Sequence, residues 1–215
     1  MAIHQDPLLL GLSPEEAHVH CIFIHGRTQS PEDMREQVIG KLNAPGVAFV
    51  LPRAAGNSWY GARATDRLTP ATREELDDAL AYVRDIAEDL SQRRHATPLL
   101  IGGFSQGACL TLEYAMKYGP WQGAMASLTG CRVGTADCER PFADLDRMPA
   151  YLTGSDKDPW IPVAAFAEAT ENLARARARL RCDVLPDRAH EVSAGEIATV
   201  DEYLSAIAGE DRASL

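Results

Sequence analysis

No apolar segment of this 215-residue chain approaches the roughly 20 residues that a helix needs to cross a bilayer. The stretch Met1 to Leu12 holds no basic leader and only the short run Leu8 to Leu10, well below the apolar core of a secretory signal. Paired cysteine motifs are missing as well. Five cysteines, at positions 21, 109, 131, 138 and 182, fit neither a disulfide framework nor a Cys-x-x-Cys zinc site, and irregularly spaced thiols suit a reducing compartment. Positive charge is in short supply: 21 basic against 31 acidic side chains leave a net charge of −10, which favours solubility and disfavours nucleic acid or an anionic membrane as the main partner. There is no Gly-x-x-x-x-Gly-Lys-Ser/Thr loop, which argues against a nucleotide-binding protein, and no internal repeat, low-complexity tract or linker. The expectation is a cytoplasmic protein of one domain over residues 1–215, with no membrane insertion.

What the chain does have is alternation. His18 to Ile24 reads as a strand ending at His25-Gly26. Ser30-Pro31-Glu32-Asp33 then supplies an N-cap serine, a first-turn proline and early acids for a helix carrying Met34, Val38, Ile39 and Leu42 on one side. Val47 to Leu51 has strand length, and Pro52 to Arg67 reads as a long loop. Thr72-Arg73-Glu74-Glu75 has the form of a capping box before the stripe Leu76, Ala79, Leu80, Val83, Ala87 and Leu90. Leu99 to Gly103 is a strand, and about Gln106 to Tyr118 a helix. Ala124 to Leu128 and Ala150 to Thr153 are buried strands, Pro162 to about Arg179 is helical, and Leu180 to Leu185 is a strand. Ser193-Ala194-Gly195-Glu196 caps a last helix. Strands alternating with helices predict an α/β fold, a mostly parallel twisted sheet with helices on both faces, whose functional loops gather at the carboxyl ends of the strands. Arg132 to Met148 is an irregular polar excursion, and no large lid is expected.

The candidate chemistry falls in those loops. Gly103-Phe104-Ser105-Gln106-Gly107 follows a strand and opens a helix, the context in which Gly-x-Ser-x-Gly forces its serine into a strained turn and exposes the hydroxyl. Asp158, in Asp158-Pro159-Trp160-Ile161-Pro162, and then His190 follow in the chain order of α/β-hydrolases. A serine hydroxyl needs a base to become a nucleophile at neutral pH. His190 has the right chemistry for that, and a carboxylate, Asp158 or its rival Asp156, would orient the ring. Charge on the substrate oxygen needs donors already in place. The backbone N–H of Gln106, at a helix start, and that of Arg27, after the flexible Gly26, are the candidates.

The ordered set His25-Gly26-Arg27, Gly103-Phe104-Ser105-Gln106-Gly107, Asp158-Pro159-Trp160-Ile161-Pro162 and His190 resembles the phospholipase/carboxylesterase family of α/β-hydrolases, which includes acyl-protein thioesterases and small bacterial carboxylesterases. The resemblance spans about residues 17 to 208. It implies Ser105 as nucleophile, Asp158 as acid, His190 as base and the amides of Arg27 and Gln106 as oxyanion donors. Trp59 and Tyr60 match an aromatic pair that the family places near the acyl site, and Trp160 is a further substrate-contact candidate. Two departures stand out. Eukaryotic members usually carry His-Gly-Leu-Gly where this chain has His25-Gly26-Arg27-Thr28, and Gly154 lies four residues before Asp158 rather than three, which keeps Asp156 open.

The plainer readings are packing for Trp59 and Trp160, apolar packing for Cys109, a pair of loop thiols for Cys131 and Cys138, and a structural role for His25. His18 with His20 lacks a third metal ligand. Arg175, Arg177, Arg179 and Arg181 read as a solvated helix end. The expected activity is that of a serine carboxylesterase on short to medium acyl esters, with no metal or organic cofactor. Its partner is a small-molecule ester, and a homodimer stays open. The alternatives are an acyl thioesterase or lysophospholipase, a hydrolase of aromatic ring-cleavage products, and a catalytically silent binding module of the same fold.

Overall fold

Val19–Ile24, the strand we label β2, is buried at every position, as a central strand covered on both faces should be. A computed structural model describes residues 4–209. In chain order it contains β1 (Gln5–Gly11), β2, α1 (Pro31–Gln37), β3 (Val47–Arg53), α2 (Pro70–Arg93), β4 (Leu99–Phe104), α3 (Gln106–Tyr118), β5 (Gly123–Leu128), β6 (Pro149–Gly154), α4 (Val163–Arg175), β7 (Arg179–Val184) and α5 (Ala194–Ala208). The strands form one sheet in the order β1-β3-β2-β4-β5-β6-β7. All neighbours are parallel except β1, which runs antiparallel along β3 at the edge.

The two-residue period of β2 sorts its side chains between the two helical layers. Cys21 and Phe23 pack with Met34 of α1 and Val200, Tyr203 and Leu204 of α5. Ile22 and Ile24 face the other way, onto Leu76, Leu80 and Val83 of α2 and Leu110 of α3. A third cluster joins Leu112 and Met116 of α3 to Phe166 and Leu173 of α4 over β6.

Several boundaries differ from the sequence reading. β1 went unread, because Pro7 and a ladder irregularity between Gln5 and Leu8 leave no clean alternation of buried and exposed residues. α2 starts before Thr72: Thr69 is the N-cap, accepting from the Thr72 N–H at 3.1 Å, with Pro70 in the first turn. α1 stops at Gln37, and Ile39–Lys41 forms a separate 3-10 turn. β3 runs on to Arg53, and a 3-10 turn at Ala55–Asn57 interrupts the expected long loop. α4 ends at Arg175. Arg177 takes a positive φ of 60°, which turns the chain so that Arg179 and Arg181 lie on β7 instead of a helix end. Ser30 is the expected N-cap and forms a capping box with Asp33, and Ser193 caps α5 as expected.

Arg132 to Met148 is less polar than it reads. Arg132, Val133, Leu145 and Met148 are buried, and the Arg132 guanidinium grips the Glu113 carboxylate at 2.6 and 3.1 Å, pinning the excursion to α3. Among the described residues no helix is long and apolar enough to cross a membrane, and no group of three His, Cys, Asp or Glu residues is placed to hold a metal ion.

Candidate active site

Four loops meet at the carboxyl ends of the parallel strands: those after β2, β4, β6 and β7. Ser105 stands at the tightest of them, between β4 and α3, with φ 55° and ψ −118°. For a residue with a Cβ this backbone is costly, and it persists only where the surroundings over-determine it. Here they do. The Ser105 N–H donates to the Leu128 carbonyl at 3.0 Å. Gly107 lets α3 approach β2 so closely that a Cβ there would lie 2.1 Å from the Ile24 carbonyl oxygen. The strain turns the Ser105 hydroxyl out of the sheet.

His190 reaches it from the loop after β7. Its Nε2 lies 2.8 Å from Ser105 Oγ, and its Nδ1 lies 2.6 Å from Asp158 Oδ2. The other Asp158 oxygen accepts from the amides of Trp160 at 2.8 Å and Ile161 at 2.9 Å. Burial pushes the Asp158 carboxyl up, but the bonds from His190 and those two amides outweigh it and hold the group below its ordinary pKa. Asp158 therefore stays ionised beside the imidazole. Asp156, the rival by sequence, is exposed and accepts from the Asp187 amide at 2.8 Å. Its carboxylate belongs to the strap that carries the histidine loop.

The loop itself is held from inside. Arg188, two residues before His190, is buried and donates to the carbonyls of Ala189 and Glu191, which flank the histidine. It also bonds Thr129 Oγ1 at 2.6 Å, while its Nε lies 3.8 Å from Glu196 Oε2. Glu196 is buried too. It accepts from Thr153 Oγ1 at 2.5 Å and the Ser193 N–H at 2.7 Å. Neither Arg188 nor Glu196 was singled out from the sequence for this role; only the capping function of Glu196 was legible.

Arg27 and Gln106 both line the cavity into which Ser105 opens. Gln106 opens α3 and has no intrahelical acceptor for its N–H. In the turn after β2, Thr28 N–H goes to Asn57 O and Gln29 N–H to Gly26 O, and the Arg27 N–H has no acceptor among the described residues. The side chains of the same two residues converge on one atom. The Tyr60 carbonyl accepts from Gln106 Nε2 at 2.8 Å, Arg27 Nη2 at 3.0 Å and Ser58 Oγ at 3.0 Å. Thus the 58–62 segment ties the two amide-bearing turns together.

Those anchors sort the aromatic candidates. Tyr60 and Trp160 line a cavity of about 510 Å³ beside Ser105 and His190. Trp160 is 61% exposed on its wall, whereas Tyr60 is buried and its hydroxyl has no partner among the described residues. Trp59 does not reach the cavity. It is 2% exposed, packs on His25 with ring centroids 4.8 Å apart, and donates its indole N–H to the His25 carbonyl at 2.8 Å. This corrects the expectation that it contacts substrate: its polar tip serves the turn. His25 is structural as expected, bonding the Gly26 carbonyl at 2.7 Å. Cys131 does not pair with Cys138; it is buried with its sulfur 3.9 Å from that of Cys109.

Comparison with known proteins gives this arrangement its family. The model of the family described as Phospholipase/Carboxylesterase matches residues 12–208. The chain belongs to the phospholipase/carboxylesterase family. It is therefore a hydrolase of the phospholipase/carboxylesterase type. Among solved structures, a phospholipase/carboxylesterase from Dyadobacter fermentans is 27% identical, with a TM-score of 0.86 over 95% of this chain and 98% of that one. Acyl-protein thioesterase 2 from Zea mays shares the fold at 17% identity, with a TM-score of 0.75 over 94% and 99% of the two chains. A Mesorhizobium loti carboxylesterase does so at 17% identity, with a TM-score of 0.71 over 93% of each. No curated protein sequence matches the chain.

Proposed function

We propose that this chain, acting as one hydrolase domain, is a serine carboxylesterase that forms an acyl-enzyme on Ser105. The observation that carries the reading is the unbroken relay from Ser105 Oγ through both nitrogens of His190 to Asp158, at 2.8 and 2.6 Å. His190 Nε2 takes the hydroxyl proton as the oxygen attacks the ester carbonyl, and Asp158 holds the proton on Nδ1 and steadies the imidazolium. The amides of Arg27 and Gln106 receive the negative charge that develops on the carbonyl oxygen, an interaction typically worth about 10²–10³ in kcat per donor. The imidazolium then protonates the departing alcohol. A water molecule, deprotonated by the same ring, attacks the acyl-enzyme, and the acid leaves as Ser105 recovers its proton. A cavity of about 510 Å³ with an apolar wall at Trp160 and Ile161 suits short to medium acyl groups.

The test is a panel of p-nitrophenyl esters and acyl thioesters of graded length, read on the wild type and on Ser105→Ala, with fluorophosphonate labelling of the folded protein. Labelling at Ser105 and a fall in kcat of at least about 10⁴ in the variant are expected. Undiminished turnover by Ser105→Ala would reject Ser105 as the nucleophile, whereas a folded wild type that turns over no ester and that the fluorophosphonate leaves unlabelled would favour the silent binding module. The ratio of ester to thioester turnover ranks the two leaving-group classes.

A further inference from the structure

The cavity beside Ser105 differs in charge from the chain that encloses it. Acidic side chains outnumber basic ones 31 to 21 overall, yet the cavity is lined by Arg27 and Arg63 and by no aspartate or glutamate. Among the described residues neither guanidinium pairs with a carboxylate. Arg27 donates to the carbonyls of Tyr60, Gly61 and Ala62, so its position is fixed while its charge is uncompensated. Arg63 uses only its backbone, whose N–H donates to Asp66 Oδ2 at 3.0 Å, and its guanidinium has no protein acceptor among the described residues. Arg67, Arg93 and Arg177 are similarly accessible, and each holds a carboxylate. Another part of the lining is apolar: Pro159, Trp160, Ile161 and Pro162.

A concave site with low-dielectric walls focuses the field of unpaired charges, and a free guanidinium recognises carboxylate or phosphate through two parallel N–H bonds. We infer that the substrates of this site are esters carrying a second, anionic oxyacid group, a carboxylate or a phosphate, which Arg63 binds while the apolar part of the molecule lies along Trp160 and Ile161. This rests on the serine-esterase reading. Hydrolysis leaves the anionic group untouched: water adds across the ester, the acyl C–O bond breaks, and acid and alcohol depart. Arg27 supports the selection through its fixed charge, and Arg63 makes the contact.

The experiment measures two arms, each against a neutral partner. The acyl arm sets mono-p-nitrophenyl esters of succinic to suberic acid against the same esters methylated at the distal carboxyl, with the enzyme-free rate subtracted. The leaving-group arm sets a monoacylglycerol phosphate against the corresponding monoacylglycerol. In at least one arm the charged substrate is expected to win by about tenfold in kcat/KM, chiefly through KM. The arm that shows the preference identifies which side of the ester carries the anion. In about 0.5 M salt the preference shrinks. It falls towards unity in Arg63→Gln and inverts in Arg63→Glu. Equal or better turnover of the neutral partners in both arms, or a preference that Arg63→Gln leaves intact, overturns the inference while the esterase reading stands. If no ester is turned over and Ser105 resists fluorophosphonate, the esterase reading fails and takes this inference with it.

Discussion

The two halves of the candidate site are held by different physics. The serine half is steric: a strained Ser105, a glycine at 107 that lets α3 approach β2, and backbone amides at the start of a helix. The histidine half is polar: His190 sits on a loop whose flanking carbonyls are gripped by Arg188, itself buried beside Glu196, Thr129 and Thr153. Sterics need only the right absence of side chain, and they are rigid. A buried polar network needs every partner, because a charge left alone inside a protein costs far more than the pair contributes. The serine half should therefore fail by clash, and the histidine half by loss of order.

The sharpest way to break this comparison is Gly107→Ala. With a Cβ 2.1 Å from the Ile24 carbonyl oxygen, backbone must shift, since no flexible side chain is there to move. We expect loss of at least about 3 kcal/mol of stability, comparable to severe overpacking. Turnover should vanish with the elbow. Wild-type-like stability in urea, with activity retained, would show that the elbow is not sterically defined.

Arg188→Met attacks the other half. Removing the guanidinium leaves Glu196 buried without its cation, and breaking such a pair typically costs about 3–5 kcal/mol. The variant should also free the carbonyls on either side of His190, so that kcat falls by about tenfold to a hundredfold while KM changes little. Arg188→Lys, which keeps the charge but not the fork, should recover part of the stability and less of the kcat. If kcat per folded molecule stays unchanged in Arg188→Met, the residue is structural only and does not position the base.

The same division explains what could be read before the fold was known. The steric half is written locally: strand, Gly-x-Ser-x-Gly and helix are contiguous, and the spans expected for β4 and α3 match the observed ones to within about a residue. Asp158 and His190 were legible by their order, and the choice of Asp158 over Asp156 agrees with the hydrogen bond to His190. The polar half was not legible, because Arg188, Glu196, Thr129 and Thr153 come from separate elements and carry no spacing that announces their meeting. Trp59 was misassigned for a related reason. Its neighbour Tyr60 does line the cavity, but adjacent residues point to different sides, and the turn after β2 claims the indole. β1 escaped because an antiparallel edge strand containing Pro7 lacks both the length and the alternation that marked the others.

The smallest expected effect tests whether the steric half is as free of titration as it looks. His25 lies under the turn that carries Arg27. Its Nδ1–H donates to the Gly26 carbonyl at 2.7 Å and its Nε2 accepts from the Ala54 N–H at 3.2 Å, so the neutral ring fits both partners. A proton on Nε2 would set a donor against a donor. Burial lowers the imidazole pKa, the bond to the Gly26 carbonyl pulls it partly back, Arg53 lowers it further, and Asp33 and Glu32 act weakly the other way. The unfolded chain therefore binds this proton first as pH falls below about 6.5, and the stability that His25 contributes is present above that pH and lost towards the folded-state pKa. The loss should show as a fall in Tm on acidification. His25→Gln keeps a donor and an acceptor but cannot titrate, so its Tm should change less than that of the wild type between pH 7.5 and pH 5, by differential scanning calorimetry. Parallel curves for the two proteins would mean that acid loosens the molecule elsewhere, and that the turn beneath Ser105 is held by shape alone.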